Sequence, residues 1–416
     1  MPGILYPAYQ KLYSALSSLD RFNKESNFFD NISCLDHFFS EYRNVTFAIQ
    51  KAVNGTDKES IYIKNRDTFL TDHWFIDKRN ETTKQQPFRL VKTIAITFYL
   101  PYHGFTAGEK EYTVENDEPI EKICDDIKKE FSEIHEAEIY FSVAFSFHEA
   151  NSDIDLFDKL SSGISAMTQF MDAMDHDIGE DCDLCKQLKE QIKKMKFSHM
   201  PLDMFLINDY VYYPKQDTFD RCWRVTLAIS PSNKKVANHL PLNIITQPEH
   251  LNYDGTAFGN FTFMHAILRV GHPGMDIMPA IMIVYEDETY DLDAFQSDNK
   301  TTFYRKINET AQIIKQTPVR EVCLVTLYSV LAQSPNVPMY SKDRIALSTS
   351  DILVCASVDN KLNEKEYVFD GKTMEDILYI ACVLKNGLSN SLQYSKTNMF
   401  PIWKAFKDTA GTNQAV

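Results

Sequence analysis

Glycine is scarce in this sequence, whereas aromatic residues are plentiful. The 416 residues include 13 glycines, against 28 phenylalanines and 21 tyrosines. This scarcity argues against a glycine-rich dinucleotide-binding domain and against a β-propeller. The sequence also lacks Gly-x4-Gly-Lys-Ser/Thr, Gly-x-Gly-x2-Gly, Gly-x-Ser-x-Gly and His-Glu-x2-His. A P-loop ATPase, a Rossmann enzyme, a serine hydrolase of the nucleophile-elbow type and a zincin are therefore disfavoured.

Long apolar runs are absent as well. No window approaches the roughly 18 uninterrupted apolar residues of a membrane-spanning helix, so we expect no membrane partner. Residues 1–24 lack a basic stretch followed by an apolar run, and no signal peptide is predicted. The eight cysteines are scattered, and several lie inside apolar runs such as Val322–Val325. Such placement is typical of buried, reduced thiols, which predicts a cytoplasmic protein.

The charge balance is acidic. Lys and Arg number 43 and Asp and Glu number 58, which gives a net charge of −15. Long-range attraction to a phosphate backbone is not favoured, so we expect no strong DNA binding. RNA, if it is a partner, must bind at a local basic patch or in a cleft. A protein partner is the simpler expectation for so acidic a chain.

The spacing of apolar residues changes along the chain and predicts an α+β fold. Residues 1–86 carry apolar side chains at helical spacing, as at Leu12 and Leu16, and are predicted to form a bundle of about four helices. Segments rich in β-branched and aromatic residues begin at Val91. Three parts are therefore expected: a helical bundle over 1–86, a mixed β/α region with a long charged helix over 87–200, and a mostly antiparallel α+β domain over 201–416.

Individual elements follow from the local patterns. In the middle part, strands are predicted at 91–99, 110–115 and 139–147, with helical segments at 119–134 and 152–196. In the last part, strands are predicted at 204–213, 222–229, 261–270, 279–286, 321–331, 345–358 and 366–369. Helices are predicted there at 301–316 and 373–385, and residues from about 408 onward are expected to fray.

One short stretch brings together residue types that can cut RNA without a metal. Arg66, Asp67 and His73 lie on a helix predicted from about residue 58 to 78. Histidine can move a proton near neutral pH, and arginine can hold a phosphate through two parallel hydrogen bonds. Residues seven apart on a helix share a face, about two turns from each other. The alternative is that His73 packs beside Trp74 and that Arg66 is an ordinary solvent-exposed residue of the helix.

Arg66-Asp67 followed by His73 resembles the Arg-[Asn/Asp/His]-x4–5-His signature of HEPN domains. The resemblance covers about the first 85 residues. It implies a helical bundle that acts as a metal-independent ribonuclease or binds nucleotides or RNA, in a defence or stress-response protein of a prokaryotic type. His73 would then transfer protons, Arg66 would clamp the phosphate and the transition state, and Asp67 would hold one of them in register. No cofactor is implied.

A second start of the signature lies at Arg79-Asn80, where no histidine follows at the required spacing. If the motif of the domain belongs at Arg79, this copy is degenerate and lacks the histidine that cleavage requires.

A zinc site is a further hypothesis. Cys182 and Cys185 form a Cys-x2-Cys pair, with His176 upstream and His199 downstream. Four such ligands can close a tetrahedral zinc site. A single pair is a weak pattern, however, and the surrounding acidic residues are expected to raise the thiol pKa values, whereas zinc requires thiolates. We therefore expect no metal.

A third hypothesis is a metal-dependent nuclease. Asp351, an apolar run and then Asp359-x-Lys361 are similar to the layout in which carboxylates bind magnesium and a lysine orients the attacking water. Because Asp359 falls at a predicted turn, an acidic surface loop is the simpler explanation.

The leading interpretation is RNA cleavage or RNA binding by a HEPN-like bundle, with the remaining chain binding a partner. A single Arg–His pair supplies one proton-transfer group, whereas cleavage needs both a general acid and a general base. We therefore expect a homodimer through the N-terminal helices. Those helices carry apolar residues on more than one face: Phe28, Phe29, Phe38, Phe39 and Phe47.

The alternative is a non-enzymatic interaction subunit of a larger complex. The environment of His73, in a cleft beside Arg66 or buried in the bundle, distinguishes the two.

Overall fold

The computed structural model describes most of the chain. The described residues are 3–24, 28–99, 106–114, 120–133, 137–195, 197, 205–229, 256–271, 277–332, 344, 346–373, 375–376 and 392–412. They fold into helices and two antiparallel sheets, which confirms the predicted α+β class. Within these ranges, no helix is both long and apolar enough to span a bilayer.

The residues divide into two compact units that interleave along the chain. Unit 1 consists of Met1–Ala95, Lys110–Ile127 and Ala144–Ile207. Unit 2 consists of Ile96–Glu109, Lys128–Val143 and Asn208–Val416. The division of the sequence after residues 86 and 200 stays a prediction.

Four helices begin unit 1: α1 Tyr6–Arg21, α2 Phe28–Val53, α3 Glu59–Phe69 and α4 Trp74–Lys84. Among the described residues before Leu90 there is no strand, as predicted for this part of the chain. Helix α2 packs on α1 and on α4, because its apolar positions recur every three or four residues. Rings of Phe38, Phe39 and Tyr42 on α2 meet Phe75 on α4, and this layer buries Phe38 and Phe39 completely.

Arg66 and His73 do not share a helix, so the prediction of one helix over 58–78 is wrong. Helix α3 ends at Phe69, and α4 begins at Trp74. The carboxylate of Asp72 accepts a hydrogen bond from the backbone N–H of Trp74 at 3.0 Å. Short polar side chains bond their local backbone in this way and favour a new helix start over continuation of the old one.

Two further helices of unit 1 are α6 Leu156–Ile178 and α7 Asp183–Lys193. Asp155 caps α6, since its carboxylate accepts hydrogen bonds from the N–H groups of Phe157 at 2.8 Å and Asp158 at 3.0 Å. The helix continues through Gly163, where a Cβ atom would lie 2.0 Å from Cζ of Phe75. Glycine at this position therefore lets the backbone of α6 approach the aromatic layer.

The first sheet has five strands: β1 Leu90–Tyr99, β2 Thr106–Val114, β3 Ile139–Glu149, β4 Ile207–Tyr213 and β5 Thr218–Arg221. Their order is β2-β1-β3-β4-β5, and helix α5 Ile120–Glu130 connects β2 to β3. The strands predicted at 91–99, 110–115, 139–147 and 204–213 all occur, with shifted ends. Strand β5 was not predicted.

Asp209 of β4 is the centre of a buried ion-pair network in unit 2. Its carboxylate accepts hydrogen bonds from Ser142 at 2.6 Å, Arg224 at 2.6 Å, Thr302 at 2.8 Å and Arg305 at 3.0 Å. Burial favours the neutral acid, but the guanidinium groups of Arg305 and Arg224 outweigh burial and lower the pKa of Asp209 to about 2.

The second sheet lies in unit 2 and has six strands: β6 Arg224–Ile229, β7 Ala280–Tyr285, β8 Tyr290–Ser297, β9 Val319–Leu331, β10 Ser348–Asp359 and β11 Glu364–Phe369. Their order is β11-β10-β9-β7-β8-β6. Alternate residues face opposite sides, so Met282 and Val325 belong to one core and Ile283 and Leu324 to the other. Helix α8 Ala257–Gly271 covers the first face, and α9 Thr301–Gln316 with α10 Lys396–Thr412 covers the second.

Some predictions for this part are correct and others are wrong. Helix α9 has the predicted bounds, 301–316. The strand predicted at 261–270 is instead part of α8, whose side chains from Ala257 to Phe263 are all buried. An apolar run without a polar face does not reveal its helical period, which explains the error. Strand β8 and helix α10 were not predicted, and α10 extends past residue 408. The helix predicted at 373–385 lies largely outside the described residues.

Candidate functional site

A cleft of about 460 Å³ opens in unit 1 at the break between α3 and α4. Its polar lining consists of Arg43, Thr46, Arg66, Asp67, Thr71, Asp72 and His73. Arg43 and Thr46 come from α2, Arg66 and Asp67 from α3, and the others from the segment between α3 and α4. The fold therefore brings the three residues singled out in the sequence, Arg66, Asp67 and His73, to one cleft, together with a second arginine from another helix.

Arg66 is held by its neighbour in sequence. Its Nε and Nη2 atoms lie 2.8 and 2.7 Å from Oδ1 of Asp67. The guanidinium carbon also lies 5.7 Å from the ring centre of Tyr62, within cation–π distance. The hydrogen bond to Asp67 raises the pKa of Arg66, which therefore stays charged. With 38% of its side chain exposed, Arg66 can reach a ligand from solvent.

Arg43 is the cleft residue that the sequence did not indicate. It donates a hydrogen bond to Thr46 Oγ1 at 2.6 Å and lies 4.2 Å from the ring centre of Phe47. Within the described part of the chain, no carboxylate forms an ion pair with Arg43. Burial lowers its pKa, and the charges of Arg66 and Arg79 act in the same direction. The two other guanidinium groups therefore act unfavourably on the charge of Arg43, and an anion between Arg43 and Arg66 in the cleft would offset this effect.

His73 is exposed at the start of α4. Its backbone carbonyl accepts hydrogen bonds from Ile76 and Asp77, both at 3.0 Å, which fixes the position of its Cα. The described residues offer its imidazole no hydrogen bond, so the ring can turn toward a bound ligand. Asp72, the preceding residue, pairs with Lys159 at 2.6 Å, and that pair neutralises its carboxylate.

The sequence left the environment of His73 open between a cleft beside Arg66 and the interior of the bundle. His73 does not pack inside the bundle; it lines the same cleft as Arg66. Arg79, the other possible start of the signature, lies on α4, and its Nη1 donates to the adjacent Asn80 at 3.2 Å. The Nε atom of Arg79 is buried without a hydrogen bond, and Arg79 does not line the cleft.

The cysteine pair has a local structural role. Cys182 caps α7, and its Sγ accepts hydrogen bonds from the backbone N–H groups of Gly3 at 3.2 Å and Cys185 at 3.4 Å. These donors lower the pKa of Cys182, contrary to the increase expected from the acidic surroundings. Burial raises the pKa of Cys185 to about 12, as expected in direction. His176 bonds to Asp177 at 2.9 Å, and His199 lies outside the described residues.

The carboxylates of the third hypothesis do not come together. Asp351 lies in the first part of β10 and Asp359 at its last residue, roughly 26 Å apart at about 3.3 Å per residue. Asp359 accepts backbone hydrogen bonds from Lys361 and Asn363, both at 2.9 Å, and so closes the β10–β11 turn. Asp351 accepts from Ser329 at 2.9 Å. Over the described ranges, no group of three or more His, Cys, Asp or Glu side chains is arranged to hold a metal ion.

Comparison with known proteins adds no relative: no protein-family model, no curated protein and no solved structure matches this chain.

Proposed function

We propose that this chain is a cytoplasmic, HEPN-like RNA-cleaving protein of the defence or stress-response kind, and that the cleft at the α3–α4 break is its active site. The observation that carries the proposal is the convergence of Arg43, Arg66 and His73 on one exposed cleft. Two guanidinium groups and one imidazole supply phosphate binding and proton transfer from side chains alone.

The reaction assigned to the cleft is transfer within the RNA backbone. The 2′-oxygen attacks the adjacent phosphorus, the bond from phosphorus to the 5′-oxygen breaks, and a 2′,3′-cyclic phosphate and a 5′-hydroxyl result. His73 accepts the proton of the 2′-hydroxyl or donates one to the leaving 5′-oxygen. Arg43 and Arg66 bind the non-bridging oxygens and stabilise the charge that develops on them.

A single cleft supplies one of the two proton-transfer groups. Among the described residues that line it, His73 is the only imidazole. A second copy of the chain would bring a second His73, in the two-fold arrangement that homodimers usually adopt. Phe38 and Phe39 are buried in the core of their own bundle, whereas Phe29 and Phe47 are exposed on α2. We therefore propose a homodimer in which exposed α2 residues, rather than Phe38 and Phe39, form the contact.

The proposal reconciles RNA binding with the acidic chain. The net charge of −15 repels a phosphate backbone at long range, so affinity must come from short-range contacts. Arg66 must give up its ion pair with Asp67 before it can bind an RNA phosphate. Arg43 has no such ion pair among the described residues and can bind a phosphate directly. Affinity for RNA should accordingly be modest and local rather than spread over the surface.

The experiment is incubation of total RNA with the purified protein, with and without EDTA. The wild-type protein should shorten the RNA equally in both, and His73→Ala should lower the rate roughly 100-fold or more, as for loss of a general acid–base group. His176→Ala is the matched control, because His176 is an exposed histidine on α6 of the same unit. Cleavage that requires Mg²⁺ and survives His73→Ala would overturn the proposal.

A second candidate function, a non-enzymatic interaction subunit, is favoured by one observation in unit 2. Among the described residues, strand β6 is the last strand in the order of the six-stranded sheet. On one of its faces Val225 and Leu227 are exposed, Leu227 by 58%, and Trp223, which directly precedes the strand, is 59% exposed. An apolar edge strand of this kind is suited to pairing with another chain. Light scattering at micromolar concentration tests it: Leu227→Lys should reduce the apparent mass if β6 forms an interface, whereas Lys315→Gln should not.

A further inference from the structure

A second cleft, of about 580 Å³, lies wholly within unit 2, between the start of α9, strands β8 and β9, and Asn398 of α10. Its volume falls in the range of about 300–1,000 Å³ that small-molecule sites occupy. The cleft shares no residue with the proposed RNA site, so what it binds is an independent question.

Its charged residues favour an anion. The described residues that line the cleft include two cations, Lys300 and Arg344, and one carboxylate, Asp298. Burial, followed by the charge of Arg344, lowers the pKa of Lys300, whereas the charge of Glu138 acts in the opposite direction. A phosphate offers acceptor oxygens to both an ammonium and a guanidinium group.

Its walls favour a planar ring. Phe303 of α9 and Tyr328 of β9 are both only partly buried and both line the cleft. Aromatic faces stack well on the rings of nucleobases, at about 1–3 kcal/mol per base. Gln296 and Asn398 add side-chain amides with donor and acceptor atoms, and Asn398 already donates a hydrogen bond to the Tyr328 hydroxyl at 2.6 Å. That bond holds the tyrosine ring in place at the wall of the cleft.

We propose that this cleft binds a nucleotide, with Lys300 and Arg344 contacting its phosphate and the rings of Phe303 and Tyr328 contacting its base. Two cations alone would suit any small anion, and aromatic walls alone would suit any apolar ligand. Cations, aromatic faces and amides in one cleft of this size match the three parts of a nucleotide: phosphate, ring and hydrogen-bonding ring edge.

The test is isothermal titration calorimetry of the full chain with AMP, GMP, CMP and UMP as separate probes. At least one of them should bind with a stoichiometry of one per chain. Inorganic phosphate and the corresponding nucleoside, titrated separately, should each bind more weakly than that nucleotide, because each reaches only part of the cleft. Arg43→Gln, which removes a phosphate-binding group from the RNA cleft, should leave the binding unchanged, and this separates the two sites.

Two variants and one control locate the site. Lys300→Gln and Arg344→Gln should each weaken binding about tenfold or more, as expected when a hydrogen bond between charged groups is lost. Lys315→Gln, an exposed position in the last turn of the same helix α9, should bind as the wild type does. Circular dichroism confirms that the variants are folded. The proposal is overturned if none of the four nucleotides binds, if both cleft variants bind normally, or if phosphate alone binds as tightly as the nucleotide.

Discussion

Arg66 and Asp67 are adjacent in sequence and paired in space: two N–H groups of the guanidinium point to one carboxylate oxygen, at 2.8 and 2.7 Å. Neighbouring residues on a helix do not face each other, so the pair forms only because the long arginine side chain bends back along α3. The carboxylate occupies the position that a phosphate would take on the guanidinium. Asp67 therefore has two opposite effects on the cleft, orienting Arg66 and competing with RNA for it.

Substitution of Asp67 separates these effects. In Asp67→Asn the competing charge is gone, and RNA should bind more tightly by about two- to fivefold, which is the strength of an exposed ion pair. Fluorescence anisotropy with a labelled RNA at low salt measures this, and Asp77→Asn, exposed in the first turn of α4, is the control. Weaker binding by Asp67→Asn would mean that orientation of Arg66 matters more than competition.

Arg43 should contribute as much to RNA binding as Arg66, although the sequence signature does not include it. Arg43→Gln should weaken binding and reduce the slope of log K against log salt by about 0.7–0.9, as for loss of one phosphate contact. Lys51→Gln removes the same charge from an exposed position further along α2 and should leave the slope nearly unchanged. An equal effect of both substitutions would indicate a diffuse charge effect and no phosphate contact at Arg43.

The contact between Gly163 and Phe75 should limit which residues α6 tolerates. A Cβ at residue 163 would lie 2.0 Å from Cζ of Phe75, so Gly163→Ala must displace the ring or the helix. We expect a loss of about 1–3 kcal/mol in the free energy of unfolding, even though alanine favours helices. Urea denaturation measures it. Gly108→Ala, where a Cβ meets no atom within 4 Å, should not destabilise the protein.

Acid should destabilise unit 2 through His265. This side chain is buried on α8, where its Nδ1 lies 2.7 Å from the carbonyl oxygen of Phe261, and burial lowers its pKa from 6.5 to about 4. Because the unfolded chain binds a proton that the native state does not, stability is lost as pH falls from 6.5 toward 4, by up to about 3 kcal/mol. His265→Gln should flatten the dependence of the unfolding midpoint on pH across this window.

Below pH 4, the carboxylate of Asp209 governs how the stability of unit 2 depends on pH. The lowered pKa of Asp209 stabilises the native state above the unfolded-state pKa of about 3.9, and this contribution disappears as pH falls toward 2. A stability profile that stays level from pH 6.5 down to pH 4 in the wild type would contradict the role assigned to His265.

The sequence predicted those elements whose residues carry their own signal. The helix at 301–316 has apolar residues on one face, and the sequence predicts its true ends, whereas α8 is buried on every side from Ala257 to Phe263 and its sequence resembles that of a strand. The break between α3 and α4 had a visible signal at Thr71-Asp72 that the longer helical pattern outweighed. Arg66, Asp67 and His73 were identified because they are close in sequence. Arg43 lies 23 positions before Arg66 on a different helix, and only the packing of the helices brings it to the cleft.

The measurement that tests the central claim most directly is single-turnover cleavage of one defined RNA oligonucleotide in EDTA. The wild-type protein should cleave it to 2′,3′-cyclic phosphate and 5′-hydroxyl ends, and should leave the 2′-O-methyl version of the same oligonucleotide intact, because the attacking oxygen is blocked. His73→Ala should be slower by roughly 100-fold or more, with His176→Ala unchanged. Cleavage of the methylated oligonucleotide, or an undiminished rate in His73→Ala, would contradict the assignment of this cleft as a metal-independent ribonuclease site.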